Sequence, residues 1–329
     1  MAVAYRAFVS EVPARPVPVP VVPGLADLTV LARGGYATVY RAVQISVERE
    51  VAVKVENRTL ESDKDQRRFL REARAAGRMS SHPHVVDLFD VGVTQDGHPY
   101  MIMELCEGSY ADRMQHQPLA GSEARYVGAR IADALADAHT LGVLHRDVKP
   151  ANILITRFGE PALADFGLAV LTETRESSIT IELTPAYAAP EMFHHGRPVP
   201  ASDVYGLCAT LYALMRGRPP RWREGYNPTL ASLVDMFAQP VPDLPDVAPE
   251  LTAILRRGMA NEPSARPTAA QLRDELDGVH RDPDPTMVLR PVVPPSPIAG
   301  PTWSVTPRPV AEDETTQAAD STTQAAEIQ

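Results

Sequence analysis

A short polar stretch, residues 143–155, carries the side chains best suited to chemistry. Asp147, Lys149 and Asn152 lie close together there, between an apolar pair and a β-branched run. The flanks predict a turn held between buried segments. In such a turn a carboxylate can take the proton of an incoming hydroxyl, and an amide oxygen can face a metal ion. The pattern suits phosphoryl transfer, although a charged surface turn between two strands is the plain alternative.

This stretch resembles a known catalytic loop. His145, Arg146, Asp147 and Asn152 match the H-R-D-L-x-x-x-N pattern of protein kinases, with valine in place of the leucine. Lys149, two residues after the aspartate, is typical of serine/threonine kinases. The sequence of the loop also resembles that of the eukaryotic-like kinases of bacteria, in particular of actinobacteria. The resemblance implies that Asp147 is the catalytic base, that Lys149 steadies the transferred phosphoryl group and that Asn152 is a metal ligand.

A second match follows eighteen residues after Asp147, where Asp165-Phe-Gly ends an apolar run. It matches the D-F-G motif in full. The resemblance implies that Asp165 and Asn152 hold Mg²⁺ (or Mn²⁺) at the phosphates of ATP, and that Phe166 packs against the helix that kinases call αC.

Lys54 lies in the middle of an apolar run, Val51-Ala-Val-Lys-Val55. Side chains alternate along a strand, so Ala52 and Lys54 share one face. A lysine among so many apolar residues needs a carboxylate or a phosphate as its partner. The run matches V-A-I-K of kinases, which implies that Lys54 holds the α- and β-phosphates and that Val39 and Ala52 contact adenine. An edge-strand lysine that discourages aggregation is the alternative.

The loop that should cover the phosphates departs from its pattern. Two glycines between β-forming residues predict a hairpin, but of the three glycines in G-x-G-x-x-G only Gly34 remains, and Ala32 and Ala37 replace the others. A methyl group restricts the approach of backbone N–H groups to phosphate oxygens. An ordinary hairpin explains the loop equally well. If this loop covers a nucleotide, Leu31 belongs to the nucleotide site.

Residues 66–78 are rich in helix formers, and an apolar stripe at helical spacing gives them a buried face. Glu72 borders this stripe and can turn toward Lys54. In the kinase family such a glutamate pairs with the strand lysine. The alternative is that Glu72 is solvated and pairs with another residue of the same helix.

Two strands are expected at residues 85–89 and 100–103, followed by a segment that resembles the kinase hinge. The resemblance implies that Met103 limits the back pocket and that backbone groups of Glu104 and Cys106 bond adenine.

Two helices should carry the catalytic loop. One is expected over residues 122–141, capped by Ser122 and ended by Gly142, and the other over residues 201–215. The resemblance implies two structural contacts. They join Asp203 to the catalytic-loop backbone and Arg266 to Glu191.

Hydroxyl side chains crowd residues 169–184, between D-F-G and A-P-E. A solvated connection is one interpretation. The other is a loop ordered by phosphorylation at Thr174, Ser178 or Thr180, with Arg146 binding the phosphate.

The composition excludes several classes of protein. With 329 residues, 44% of them apolar, the chain can bury a sizeable core, and its net charge of -10 argues against a general nucleic-acid binder. Its two cysteines, Cys106 and Cys208, are far apart in apolar stretches and predict buried thiols in a reducing compartment. No apolar run has the length of a membrane span or a signal peptide. We therefore expect a cytoplasmic protein without a membrane span.

The resemblance implies an α+β, bilobal protein-kinase domain over residues 24–280, with an antiparallel N-lobe (24–104) and a mainly helical C-lobe (105–280). A Pro-rich arm, 1–23, and an acidic Pro/Thr-rich tail, 281–329, flank it and are expected to be disordered.

Expected partners are proteins bearing Ser or Thr, phosphothreonine-reading domains at the tail, and a second copy for transient autophosphorylation; the tail is equally well explained as inert linker. A pseudokinase that binds nucleotide as a scaffold is the main rival, supported by Ala32 and Ala37. The second rival is a kinase that phosphorylates small molecules.

Overall fold

A computed structural model describes residues 19–35, 37–60, 62–166, 186–193, 198–221 and 235–278. They all fall within one compact unit, Met1–Arg281.

An antiparallel sheet of five strands forms the N-terminal part, in the order β1-β2-β3-β5-β4. The strands are β1 (Leu25–Arg33), β2 (Ala37–Gln44), β3 (Arg49–Glu56), β4 (Leu88–Val93) and β5 (Pro99–Glu104). Alternation along β3 buries its valines in a core on one face of the sheet, together with Tyr40, Tyr100 and Ile102. The opposite face is left for Lys54.

Helix α1 (Asp63–Gly77) contacts β4 of this sheet, and its residues Phe69 and Ala73 are buried. It starts three residues before the expected helix. Ser62 explains the earlier start, because its hydroxyl accepts the N–H of Asp65 at 3.2 Å and so satisfies a free donor of the first turn.

The segment after α1 differs from expectation. A strand was expected over 85–89, but β4 begins at Leu88, and Val85 forms a parallel bridge with Leu163 instead. Val86 N–H donates to the Leu163 carbonyl at 3.1 Å, and Leu163 N–H donates to the His84 carbonyl at 2.9 Å. These residues therefore extend a second, smaller sheet.

That smaller sheet has the order β6-β7-β8 and joins β6 (Gly108–Ser109), β7 (Ile153–Ile155) and β8 (Pro161–Leu163). The described residues after β6 also form five α-helices: α2 (Tyr110–His116), α3 (Gly121–Thr140), α4 (Pro200–Arg216), α5 (Pro249–Gly258) and α6 (Ala269–Gly278). Helix α3 has a buried face, since Val127, Ile131 and Leu135 are fully buried. Helix α4 is apolar along most of its length and is buried on nearly every side.

The expected cap of α3 is wrong. Ala120 occupies the N-cap position without a side-chain hydrogen bond, and Ser122 lies inside the first turn. The end of the helix agrees with the sequence, because Gly142 adopts a φ of +70°.

The pair of Glu191 and Arg266 is confirmed. The two ends of the guanidinium donate to the two carboxylate oxygens at 2.7 and 2.8 Å. Ser202 adds a hydroxyl donor to Glu191 at 2.7 Å. Burial raises the pKa of the Glu191 carboxyl, but the hydrogen bonds from Arg266 and Ser202 outweigh it and lower the pKa. This bidentate pair joins the segment Pro190–Phe193 to the segment before α6.

Candidate active site

Lys54 and Asp165 form an ion pair between the large sheet and the end of β8. The Lys54 ammonium lies 2.9 Å from Oδ1 of Asp165, and both side chains are mostly buried. Burial lowers the pKa of Lys54, but the charges of Asp165 and Glu56 outweigh it and raise the pKa. Burial likewise raises the pKa of Asp165, and Lys54 reverses the shift and lowers it. Both groups are therefore charged at neutral pH.

The backbone turns sharply at Asp165, which adopts a φ of +66°, a strained conformation for a residue other than glycine. The preceding Ala164 is fixed, since its N–H donates to the Asn152 carbonyl at 2.8 Å. The following Phe166 is buried, with its ring edge-on to His145 at a centroid distance of 4.9 Å. The turn thus directs the Asp165 carboxylate away from the core and toward Lys54.

The catalytic-loop residues contact one another. Lys149 Nζ lies 2.6 Å from Oδ2 of Asp147. The amide of Asn152 donates to the backbone carbonyl of Asp147 at 2.8 Å and to its Oδ2 at 3.1 Å. Asp147, Lys149 and Asn152 are therefore held as one cluster, as their spacing predicted.

The same two bonds fix the orientation of the Asn152 amide. Because Nδ2 points at two acceptors on Asp147, Oδ1 points away from them and is left as a ligand atom. An amide oxygen and the ionised carboxylate of Asp165 are the hard oxygen ligands that Mg²⁺ prefers. The residues present therefore fit the implied metal.

His145 links these two parts of the site. Its Nε2 lies 2.7 Å from the Ala164 carbonyl, and its Nδ1 accepts the N–H of Asp147 at 3.3 Å. These partners assign the proton to Nε2, because a carbonyl only accepts and an N–H only donates. The imidazole thereby ties Asp147 to the strand that leads to Asp165.

Asp203, at the start of α4, holds the backbone of the catalytic loop, as expected. Its carboxylate accepts the N–H groups of His145 and Arg146 at 3.0 and 2.7 Å. His139 on α3 also contacts it, with Nε2 at 2.9 Å. His139 belongs to none of the motifs in the sequence, and its place in the last turn of the helix before the loop was the available signal for this contact.

The large sheet carries four of the residues that were predicted to contact the nucleotide. The register pairs Val39 with Lys54 and Ala52 with Met103. Cross-strand partners share a face, so these four residues line the same side of the sheet. Leu31 lies at a bulge of β1 and is 50% exposed.

The segment that was predicted to be the hinge follows β5 directly. Glu104 N–H donates to the Asp87 carbonyl at 2.9 Å, whereas within the described residues the N–H of Cys106 has no backbone acceptor. Burial and the charge of Glu104 raise the pKa of the Cys106 thiol to about 12, so this thiol stays protonated.

Several predicted residues lie outside what the structure describes. Glu72 is on α1, but its side chain is not among the described ones. The three phosphorylation candidates, Thr174, Ser178 and Thr180, also fall outside the described ranges.

The family described as "Protein kinase domain" matches residues 25–275 of the sequence. This chain belongs to the protein kinase family. The bilobal kinase fold expected from the motifs is likewise confirmed: the crystal structure of the Mycobacterium tuberculosis PknI kinase domain matches with a TM-score of 0.60 and 28% identity, over 78% of this chain and 96% of that one.

The named relatives are bacterial serine/threonine kinases. The serine/threonine-protein kinase PknK of Mycobacterium tuberculosis is 41% identical over 264 residues, which cover 78% of this chain and 24% of PknK. The serine/threonine-protein kinase PknH of Mycobacterium bovis is 39% identical over 249 residues, which cover 73% of this chain and 41% of PknH. These comparisons give no support to a pseudokinase.

The matched segment thus spans about a quarter of PknK. Within the ranges that the structure describes, none of the helices combines the length and apolarity needed to cross a membrane.

Proposed function

We propose that this chain transfers the γ-phosphoryl group of ATP to serine or threonine hydroxyls of proteins. The observation that carries the proposal is the meeting of two lysine–carboxylate pairs, Lys54 with Asp165 and Lys149 with Asp147, joined through His145. Both the fold and the named relatives support this chemistry.

The proposed roles follow from charge and position. Asp147 orients the substrate hydroxyl and takes its proton as the oxygen bonds to the γ-phosphorus. The bond between that phosphorus and the bridging oxygen breaks, and ADP leaves. Lys149 stabilises the charge of the transferred group, and Lys54 holds the α- and β-phosphates with Glu72 as its second partner.

Magnesium or manganese, when bound, would neutralise charge on the phosphate oxygens. Its proposed ligands are Oδ1 of Asn152 and the carboxylate of Asp165. Adenine is proposed to lie against Leu31, Val39 and Ala52, below Gly34, with Met103 at the back.

In the hinge, the backbone groups of Glu104 and Cys106 are the proposed partners of the adenine edge. The lack of a backbone acceptor for the Cys106 N–H among the described residues supports this assignment.

The finer assignments are also proposals. They are the domain limits 24–280, autophosphorylation at Thr174, Ser178 or Thr180 through a transient homodimer, and recognition of the tail by phosphothreonine-reading domains. The free thiols Cys106 and Cys208 support a cytoplasmic location for this part of the chain.

The test is transfer of radiolabelled phosphate from ATP with Mg²⁺ to the chain itself and to a generic basic protein. Wild type should label both on serine or threonine, as mass spectrometry would identify. Asp147→Asn and Asp165→Ala should abolish labelling while the fold is kept. Asp137→Asn, a surface control on α3, should keep both the fold and the labelling. ATP binding by wild type without any transfer would contradict the proposal.

A further inference from the structure

The loop between β1 and β2 is held by a side chain that belongs to neither strand. Asn57, just beyond β3, donates from Nδ2 to the carbonyls of Gly34 and Gly35 at 3.2 and 3.0 Å. Its Oδ1 accepts the hydroxyl of Thr38 at 3.4 Å. These partners fix the amide orientation, because a flipped amide would set its oxygen against two carbonyl oxygens. One asparagine therefore anchors two residues of the loop, Gly34 and Gly35, and one residue at the start of β2, Thr38.

The loop is also closed on itself. Gly34 N–H donates to the Ala37 carbonyl at 2.8 Å. A Cβ at Gly34 would lie 3.3 Å from that carbonyl oxygen, so the close approach favours glycine here. At the two flanks, where Ala32 and Ala37 replace the glycines of the pattern, the backbone has less freedom to adjust to a ligand. The conformation that the loop has before a ligand binds therefore matters more here than in a loop with all three glycines.

The anchor determines which way the loop backbone faces. In a trans peptide the C=O and the next N–H point in opposite directions, and no cis bond occurs in the described chain. With the Gly34 carbonyl turned to Asn57, the N–H of Gly35 is turned away from it. Thr38 pairs with Val55 and shares its face of the sheet, which is the face opposite Lys54. Because the Thr38 hydroxyl donates to the Asn57 amide, that amide is held on the same face. The Gly35 N–H is thereby directed to the side of Lys54.

We propose that Asn57 is a positioning residue for the nucleotide phosphates, because its amide presets the loop with a backbone N–H directed at the triphosphate. This inference rests on the proposed ATP-dependent activity and adds a residue to it. Asn57 touches no reacting atom; it acts by lowering the conformational entropy that the loop loses when ATP binds.

The test compares Asn57→Ala and Asn57→Asp with Gln44→Ala. Gln44 is a matched control, because it is a surface amide at the far end of β2 and accepts a hydrogen bond from Arg49 at 2.8 Å. Calorimetry would measure the Kd of Mg·ATP and of adenosine for each variant. Asn57→Ala should weaken ATP about 3- to 10-fold, the effect of losing one net hydrogen bond, and adenosine less than about twofold. Asn57→Asp keeps the shape without the donors and should weaken ATP at least as much.

Two further readouts separate positioning from general stability. The KM for ATP should rise while kcat at saturating ATP changes less than about twofold. Hydrogen exchange in the β1–β2 loop of the nucleotide-free protein should be faster in both Asn57 variants and unchanged in Gln44→Ala. Unchanged ATP affinity, or equal weakening of ATP and adenosine, would overturn the role of Asn57 and leave the proposed function intact. A wild-type chain that binds no ATP would overturn both.

Discussion

The carboxylate of Asp203 accepts the backbone N–H groups of His145 and Arg146 through both of its oxygens. The catalytic loop is thus fastened to α4, the most buried helix described. Arg146 needs such fastening, because its φ of +71° is unfavourable for a side chain with a Cβ.

Replacement of Asp203 by alanine should destabilise the domain severely. The change leaves two loop N–H groups without an acceptor in a site where the Asp203 side chain is 1% exposed. We expect a loss of about 3 kcal/mol or more in the free energy of unfolding, measured with urea. Asp137→Ala is the control, because Asp137 is largely exposed on α3 and should change stability by less than about 0.5 kcal/mol. Equal stability of the two variants would contradict the anchoring role.

Asn152→Ala should raise the concentration of free Mg²⁺ that gives half-maximal phosphoryl transfer. It removes the proposed ligand oxygen and also the donor that holds Oδ2 of Asp147. We expect a shift of roughly tenfold or more, with a lower maximal rate. Asn261→Ala removes an amide that donates to the Phe237 carbonyl at 3.1 Å and should leave the Mg²⁺ requirement unchanged. An unaltered requirement in Asn152→Ala would exclude this residue as a ligand.

The pair of Glu191 and Arg266 should make stability depend on pH. The folded pKa of Glu191 is lowered from its ordinary value of 4.5, so its contribution is complete above that value and is lost as pH falls through the folded pKa. Glu191→Gln should therefore cost about 3 kcal/mol at pH 7, and the difference from wild type should shrink below pH 4.5.

Denaturant unfolding between pH 7 and pH 3 would measure this difference. The exposed pair of Arg257 and Glu275 supplies the control. Glu275→Gln should cost less than about 1 kcal/mol at any pH. A difference that stays constant with pH in Glu191→Gln would show that ionisation of this carboxyl is not involved.

Gly258 lies against Cys208, and a methyl group at Gly258 would overlap the Cys208 sulfur. Gly258→Ala should therefore cost about 1 to 3 kcal/mol by overpacking. Cys208→Ala removes the clash. The double variant should therefore lose at least about 1 kcal/mol less in the free energy of unfolding than the two single variants lose together. Gly278→Ala, where a Cβ meets nothing within 4 Å, should be nearly neutral. Thermal unfolding of the four variants would measure the coupling, and strict additivity would contradict it.

The sequence predicted the catalytic-loop residues better than the contacts that hold them in place. The apolar residues on either side of Asp147 and Asn152 predict a turn between buried segments, and the structure has a tight turn at Pro150–Asn152 that leads into β7. Pairing between distant segments leaves no such local pattern. Val85 and Val86 have the residue types of an ordinary strand, yet they pair with Leu163.

Side-chain partners were also hard to predict. Ser122 was expected to cap α3, but the helix begins one residue earlier. The two bonds from Asn57 to the glycine carbonyls depend on where β3 ends, which periodicity fixes only to within a few residues.

The bond network of Val85 and Val86 has a mechanical consequence. It joins residues 84–86, in the connection between α1 and β4, to β8, the strand that leads into Asp165. These bonds restrain how far the chain that follows α1 can move from β8. We therefore expect motion of α1 relative to β8 to be larger at the N-terminal end of the helix than at its C-terminal end.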